Sequence, residues 1–265
     1  MGAPARKLAV ESGILSIDYG LCTHIGQRQH NQDEVLVSSA PGTLNGNGHL
    51  FAVADGMGGH PGGGLASRMA CDRLNYFYER NIRNKGKQIP ADVGRNLVEA
   101  VIRADRSIRL QGLKDNKLQD MGTTLSCIIL AGSHSVIAHV GDSRIYRLRK
   151  GRLSCLTVDH TFVQDMIFEG EVDPAQAHLH PLRHMLTRAV GAGEALEWVD
   201  TRIDGLKSSD CFLLCTDGLY NAIAEIDIFD SLAERFIAAD TVAELVARAL
   251  KNGARDNITA VVVKI

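Results

Sequence analysis

The order of elements written in the sequence predicts an α+β fold, with helices packed over two antiparallel sheets. Three observations predict it. Strands and helices come in blocks (strands, two helices, strands, two helices, a strand) and do not alternate one for one as parallel βαβ units require. The middle of the chain is a meander of short strands turning at Gly132, Gly141-Asp142-Ser143 and Lys150-Gly151. No linker or composition break divides the 265 residues, so one domain over 14–265 is expected, after a loose lead-in over 1–13.

Each element has its own signal. Ile17, Tyr19 and Leu21 alternate with Ser16, Asp18 and Gly20, which predicts a strand over 15–23. A polar loop from Gly26 to Asp33 leads to a short strand over 34–39. The Gly- and Asn-rich stretch 41–49 then turns into a strand over 50–54. Ala66, Met69, Ala70, Leu74 and Phe77 share one face of a helix over 65–83. Leu97, Val101, Ala104 and Ile108 do the same over 90–113, with Pro90 at the start. Strands follow over 123–130, 135–140, 144–149 and 152–156, and then a short helix over 160–170. The irregular stretch 171–184 carries His178, His180 and His184, whose spacing fits a solvated loop better than a metal site. A strand over 198–203 should hold Trp198 half-buried against a helix. A strand over 211–216, helices over 226–237 and 241–251, and an apolar strand over 257–264 complete the chain.

Composition narrows the function. Lys and Arg number 29 against 31 Asp and Glu, so no global field points to nucleic acid or an anionic membrane. No apolar run approaches the ~18 residues of a transmembrane helix, and residues 1–13 lack the apolar core of a signal peptide. The six cysteines form no Cys-x-x-Cys pair. They read as reduced core thiols, and a cytoplasmic location is expected.

The chemistry is written where strands end. Phe51-Ala-Val-Ala-Asp55 is an apolar run that stops on a carboxylate, and Gly56, Gly58 and Gly59 follow within four residues. Alone, it could be an Asp-Gly turn. The pattern recurs, however. Phe212-Leu-Leu-Cys-Thr-Asp217-Gly218 ends a second apolar run, Asp256 opens the last strand, Asp33 precedes another and Asp120 stands before Met121-Gly-Thr-Thr124. Converging carboxylates repel and raise one another's pKa unless a cation neutralises them. An all-oxygen donor set favours Mg²⁺ or Mn²⁺ over Zn²⁺.

Eight motifs in order carry a family resemblance: Gly26-x-Arg28-x-x-Asn31-Gln32-Asp33, Asp55-Gly56-Met57-Gly58-Gly59-His60, Gly122-Thr123-Thr124, Gly141-Asp142-Ser143-Arg144, Leu156-Thr-x-Asp159-His160, Leu186-Thr-Arg-Ala-Val-Gly191, Thr216-Asp217-Gly218-Leu219 and Asp256-Asn257-Ile258-Thr259. Together they resemble the metal-dependent, type 2C serine/threonine protein phosphatases in their bacterial form. The resemblance implies a four-layer α-β-β-α sandwich of two antiparallel sheets flanked by helix pairs, with a small flap at about 165–183. It implies hydrolysis of phosphoserine and phosphothreonine on proteins by metal-activated water, without a phospho-enzyme. It implies two Mn²⁺ or Mg²⁺ ions per chain: Asp55 would bridge them, the Gly56 carbonyl would bind one, and Asp217 and Asp256 the other. Asp33 would hold a metal-bound water, and Asp120 with Asp217 matches the place of a weaker third ion. Arg28 would grip the substrate phosphate. The partners implied are phosphoproteins and a cognate Ser/Thr kinase whose signal is reversed; no nucleic acid or membrane partner is expected, and the chain should be a monomer.

Two departures bear on catalysis. Met57 stands where animal members carry a histidine, and Gln32 where they carry a glutamate. His60 is the remaining candidate acid, although it could equally serve as a hydrogen-bonder at a helix start. Two other readings stay open. Cys22 and Arg28 have the Cys-x5-Arg spacing of cysteine-dependent phosphatases, but Cys22 lies in strand-like sequence and Gln29 follows the arginine. A non-catalytic phosphatase-like module would usually lack metal aspartates, and Asp55, Asp217 and Asp256 are all present.

Overall fold

The computed structural model describes residues 16–38, 42–43, 48–57, 62–83, 88–234 and 236–265. The expected lead-in lies outside them, as do Gly58, Gly59 and His60. The strands are β1 (Ser16–His24), β2 (Asp33–Ser38), β3 (Gly42–Thr43), β4 (His49–Met57), β5 (Gly122–Thr123), β6 (Leu125–Ala131), β7 (His134–Val140), β8 (Arg144–Arg149), β9 (Arg152–Cys155), β10 (Asp200–Gly205), β11 (Cys211–Cys215) and β12 (Ile258–Lys264). The helices are α1 (Gly62–Asn81), α2 (Pro90–Gly112), α3 (Phe162–Phe168), α4 (Asp217–Tyr220), α5 (Glu225–Ala233) and α6 (Ala238–Lys251). One sheet runs β3-β1-β12-β11-β8-β9 and the other β10-β7-β6-β4-β2, with β5 paired to β4; every pairing is antiparallel.

The central strands are apolar throughout because they are buried on both faces. In β4, Leu50, Ala52 and Ala54 face a core shared with α1 and α2, whereas Phe51 and Val53 face the other sheet. In β12, Ile258, Ala260 and Val262 meet α5 and α6, and Val261 and Val263 point inward. The inter-sheet core is closed by side chains such as Phe51, Ile128, Phe212 and Leu214, each worth about 1.5–3 kcal/mol when fully buried. The result is the expected four layers, helices on sheet on sheet on helices.

The helices match the expected apolar stripes closely. Two details differ. Trp198 lies ahead of β10, not within it, and is 58% exposed with the Arg188 guanidinium 5.3 Å above its ring. A half-buried strand position is therefore wrong for it: the bends at 191–194 and 197 precede it, and β10 begins only at Asp200. Of the six unpaired thiols, Cys155 is exposed and Cys22 half-buried, and only the other four are core residues.

Candidate active site

This architecture collects strand ends at one mouth. The end of β4 carries Asp55, the start of β2 carries Asp33, and the two residues are register partners. The chain leaves β11 through Thr216 into Asp217 and enters β12 through Asp256 and Asn257. Asp142 follows β7 directly after Gly141. These mouths open into one cleft of about 1400 Å³, lined by Arg28, Asp55, Gly56, Asp142, Asp217 and Asp256 among others.

Close backbone approach builds the cleft floor. A Cβ on Gly56 would stand 2.3 Å from the Gly63 carbonyl oxygen at the start of α1, and one on Gly218 would stand 2.0 Å from that of Asn257. Only glycine allows these contacts. The Asp55 backbone is fixed on both sides. Its N–H donates to Thr124 Oγ1 at 2.9 Å, while its carbonyl accepts from Thr124 N and Thr123 Oγ1, each at 2.9 Å. Asn257 fastens the Arg28 loop: its amide donates to the Ile25 and His30 carbonyls, and its oxygen accepts from Gln32 N.

The acids are held in an unfavourable state. Burial pushes the Asp33 carboxyl up to about 7, even though Thr216 Oγ1 donates to it at 2.8 Å. Burial, and then the charge of Asp217, carries Asp142 to about 8. Asp217 rises to about 6 through burial and the nearby Asp256. Asp55 is raised well above 3.8, first by burial and then by Asp33, Asp217, Asp142 and Asp256. Asp33 Oδ1 and Asp217 Oδ1 are buried and reached by no donor among the described residues. Such orphaned acceptors are costly unless something positive completes them.

An all-oxygen donor set with uncompensated buried oxygens fits a hard divalent cation. No three acidic, imidazole or thiol groups among the described residues are already gathered tightly enough to hold an ion as they stand. Asp256 is engaged within the chain. Arg28 grips both its oxygens, from Nε at 2.9 Å and Nη2 at 2.6 Å, so a guanidinium occupies the carboxylate that the sequence reading gives to a metal.

Other predicted residues fall as follows. Asp120 is exposed, has a left-handed backbone (φ 62°) and is not among the residues that line the cleft. Cys22 lies in β1, and burial raises its thiol, the opposite of the lowered pKa that a nucleophilic cysteine needs. Two cleft residues were missed as site candidates. Asp142 repeats the strand-then-acid pattern one glycine late. His184, assigned to a solvated loop, brings Nδ1 within 3.7 Å of Asp217 Oδ2.

A family model described as protein phosphatase 2C matches residues 22–260. The chain belongs to that family. It is 34% identical over 235 residues to the serine/threonine protein phosphatase PstP of Mycobacterium tuberculosis, covering 89% of this chain and 42% of that protein. The chain thus spans less than half the length of that relative. With the serine/threonine phosphatase stp of Listeria monocytogenes it is 34% identical over 238 residues, covering 89% of this chain and 91% of that one. Among solved structures, the M. tuberculosis phosphatase superposes with a TM-score of 0.83 at 32% identity, covering 95% of this chain and 99% of that one. The catalytic domain of PstP in complex with two manganese ions matches with a TM-score of 0.79 at 30% identity, covering 94% and 98%.

Proposed function

We propose that this chain is a metal-dependent protein phosphatase that hydrolyses phosphoserine and phosphothreonine in proteins and opposes a Ser/Thr kinase. One observation carries the reading: Asp55, Asp142 and Asp217 line one cleft, Asp33 stands beside Asp55 as its register partner, all four have raised proton affinity, and Asp33 Oδ1 and Asp217 Oδ1 are reached by no donor among the described residues. Membership of the family and the manganese found with PstP support Mn²⁺ or Mg²⁺ as the completing ions. Asp55 with the Gly56 carbonyl, Asp217 and Asp256 would hold two of them, and Asp120 with Asp217 a weaker third; Asp142 lines the same cleft.

Bound divalent cations supply charge neutralisation and a more acidic water. The chain's own groups do the rest. Asp33, fixed by Thr216 Oγ1, would hold such a water through its other carboxylate oxygen. Arg28 presents a two-nitrogen fork to Asp256, and the same fork suits two oxygens of a phosphate. The Asn257 bonds to the Arg28 loop keep that fork over the cleft. Residues from about 165 to 183 would serve as a flap, its two ends tied together where Thr161 bridges Leu186. Six unpaired thiols suit a reducing, cytoplasmic setting, and the chain acts as a monomer. Among the described residues no helix is long and apolar enough to cross a membrane.

Hydrolysis of p-nitrophenyl phosphate and of a phosphothreonine peptide with Mn²⁺ tests the reading. Turnover well above an Asp217→Asn control is expected. Equal rates for the two proteins would reject it.

A further inference from the structure

The cleft is far larger than a phosphate group. From the flap end at Arg183 it runs past the acids to a second arm formed by the loop between α6 and β12, where Asn252, Gly253, Ala254 and Arg255 line it with Gln27. This arm is braced. Gln27 Nε2 donates to the Gly253 carbonyl at 3.3 Å, and Asn252 Nδ2 to the Ala222 carbonyl at 2.9 Å. Its wall is otherwise neutral, and Arg255 is its cationic side chain.

Arg255 differs from the arginines around it. Arg28 is committed to Asp256, Arg144 to Asp159, Arg149 to Asp210 and Arg188 to Asp200. Arg255 is exposed, lines the cleft, and makes no ion pair or hydrogen bond with any described residue. It sits one residue from Asp256, so the two α-carbons are about 3.8 Å apart, and the side chains leave a braced loop next to each other.

We propose that Arg255 is a specificity residue that selects phosphopeptides carrying an acidic residue within three positions of the phosphorylated one. This rests on the phosphatase reading above. An extended peptide advances about 3.3 Å per residue, so a phosphate at the acids beside Asp256 puts the next few side chains along the Arg255 arm. A carboxylate there meets a guanidinium that has no internal acid to give up. A basic residue meets like charge. Because the contact lies on the rim and stays hydrated, its effect is modest and falls with salt. A single exposed pair of this kind amounts to roughly fivefold at most.

The test compares two phosphothreonine peptides identical except for Asp or Ala at the flanking positions, assayed with Mn²⁺ at low and high salt. Wild-type protein should favour the acidic peptide in kcat/KM by about three- to fivefold, through KM, and lose the preference at high salt. Arg255→Ala should bring the ratio to one, and Arg255→Glu should invert it toward a Lys-flanked peptide. A merely structural role would lower turnover of both peptides alike and leave the ratio unmoved. An unchanged ratio in both variants, or no preference in the wild type, overturns the proposal. Absence of turnover on either peptide would instead reject the phosphatase reading. Anisotropy binding of the same labelled peptides then decides this inference: equal affinity overturns it, and tighter binding of the acidic peptide that Arg255→Glu reverses sustains it.

Discussion

Two sets of buried carboxylates lie in this molecule, and the protein treats them in opposite ways. Asp210, at the foot of β11, accepts from Arg149 Nε and Nη2, both at 2.6 Å, and from Lys207 N at 2.9 Å. Asp105, inside α2, accepts from Arg109 Nε at 2.8 Å and from Gly191 N at 2.8 Å. Both are buried, and both are completed from within the chain. In the cleft, Asp33 and Asp217 each keep a buried oxygen that no donor among the described residues reaches, and burial drives their proton affinity up. The first set ties loops to sheets and helices. The second stores an unmet demand for positive charge, which a cation can satisfy and an arginine at Asp256 satisfies only in part. Burial alone therefore does not mark a functional acid; buried, incompletely partnered acids gathered at one cleft do.

The comparison can be broken at either set. The largest effect is expected at the cleft. Asp217→Asn should cut Mn²⁺-dependent turnover of p-nitrophenyl phosphate by roughly 10³-fold, the scale of removing one electrostatic stabiliser, while the metal-free protein melts at a higher temperature because a repelling charge is gone. At the other set the signs reverse. Asp210→Asn takes away the buried carboxylate that holds the partly exposed Arg149 and should cost about 1.5–3 kcal/mol of stability, the scale of a hydrogen bond to a charged group, read by urea unfolding, with turnover of the folded protein unchanged. Asp33→Asn should weaken Mn²⁺ binding by about 10–100-fold, as loss of an outer carboxylate does, measurable by calorimetry.

Much of this contrast was legible in the sequence, because it is local. Asp55 and Asp217 could be read since each ends a short apolar run closed by glycine, the signal of a strand buried on both faces. Asp142 obeys the same rule, but the glycine before it made it look like turn punctuation. What could not be read is the pairing of side chains across the chain. Arg28 and Asp256 are 228 positions apart, and no periodicity announces that one will occupy the other. The exposure of Trp198 and the approach of His184 to Asp217 depend on the irregular stretch between α3 and β10, where neither a 2- nor a 3.6-residue repeat operates.

A smaller effect follows from protons. Asp33 and Asp142 titrate at about 7 and about 8 in the folded chain, against an ordinary 3.8. Folding therefore takes up protons, and stability falls as pH rises through that window. His139, lowered to about 3 by burial and by His160, works in the opposite direction but only below its ordinary 6.5. The melting temperature of the metal-free protein should consequently drop between pH 6.5 and 8.5, and Mn²⁺ should remove the drop by replacing the protons.

The most direct measurement is thermal unfolding at pH 8 with and without Mn²⁺, for the wild type and for Asp217→Asn. If the cleft acids await a cation, Mn²⁺ raises the wild-type midpoint strongly and the variant's little, and the variant is the more stable of the two without metal. An equal Mn²⁺ shift in both proteins, or none in the wild type, would contradict the account.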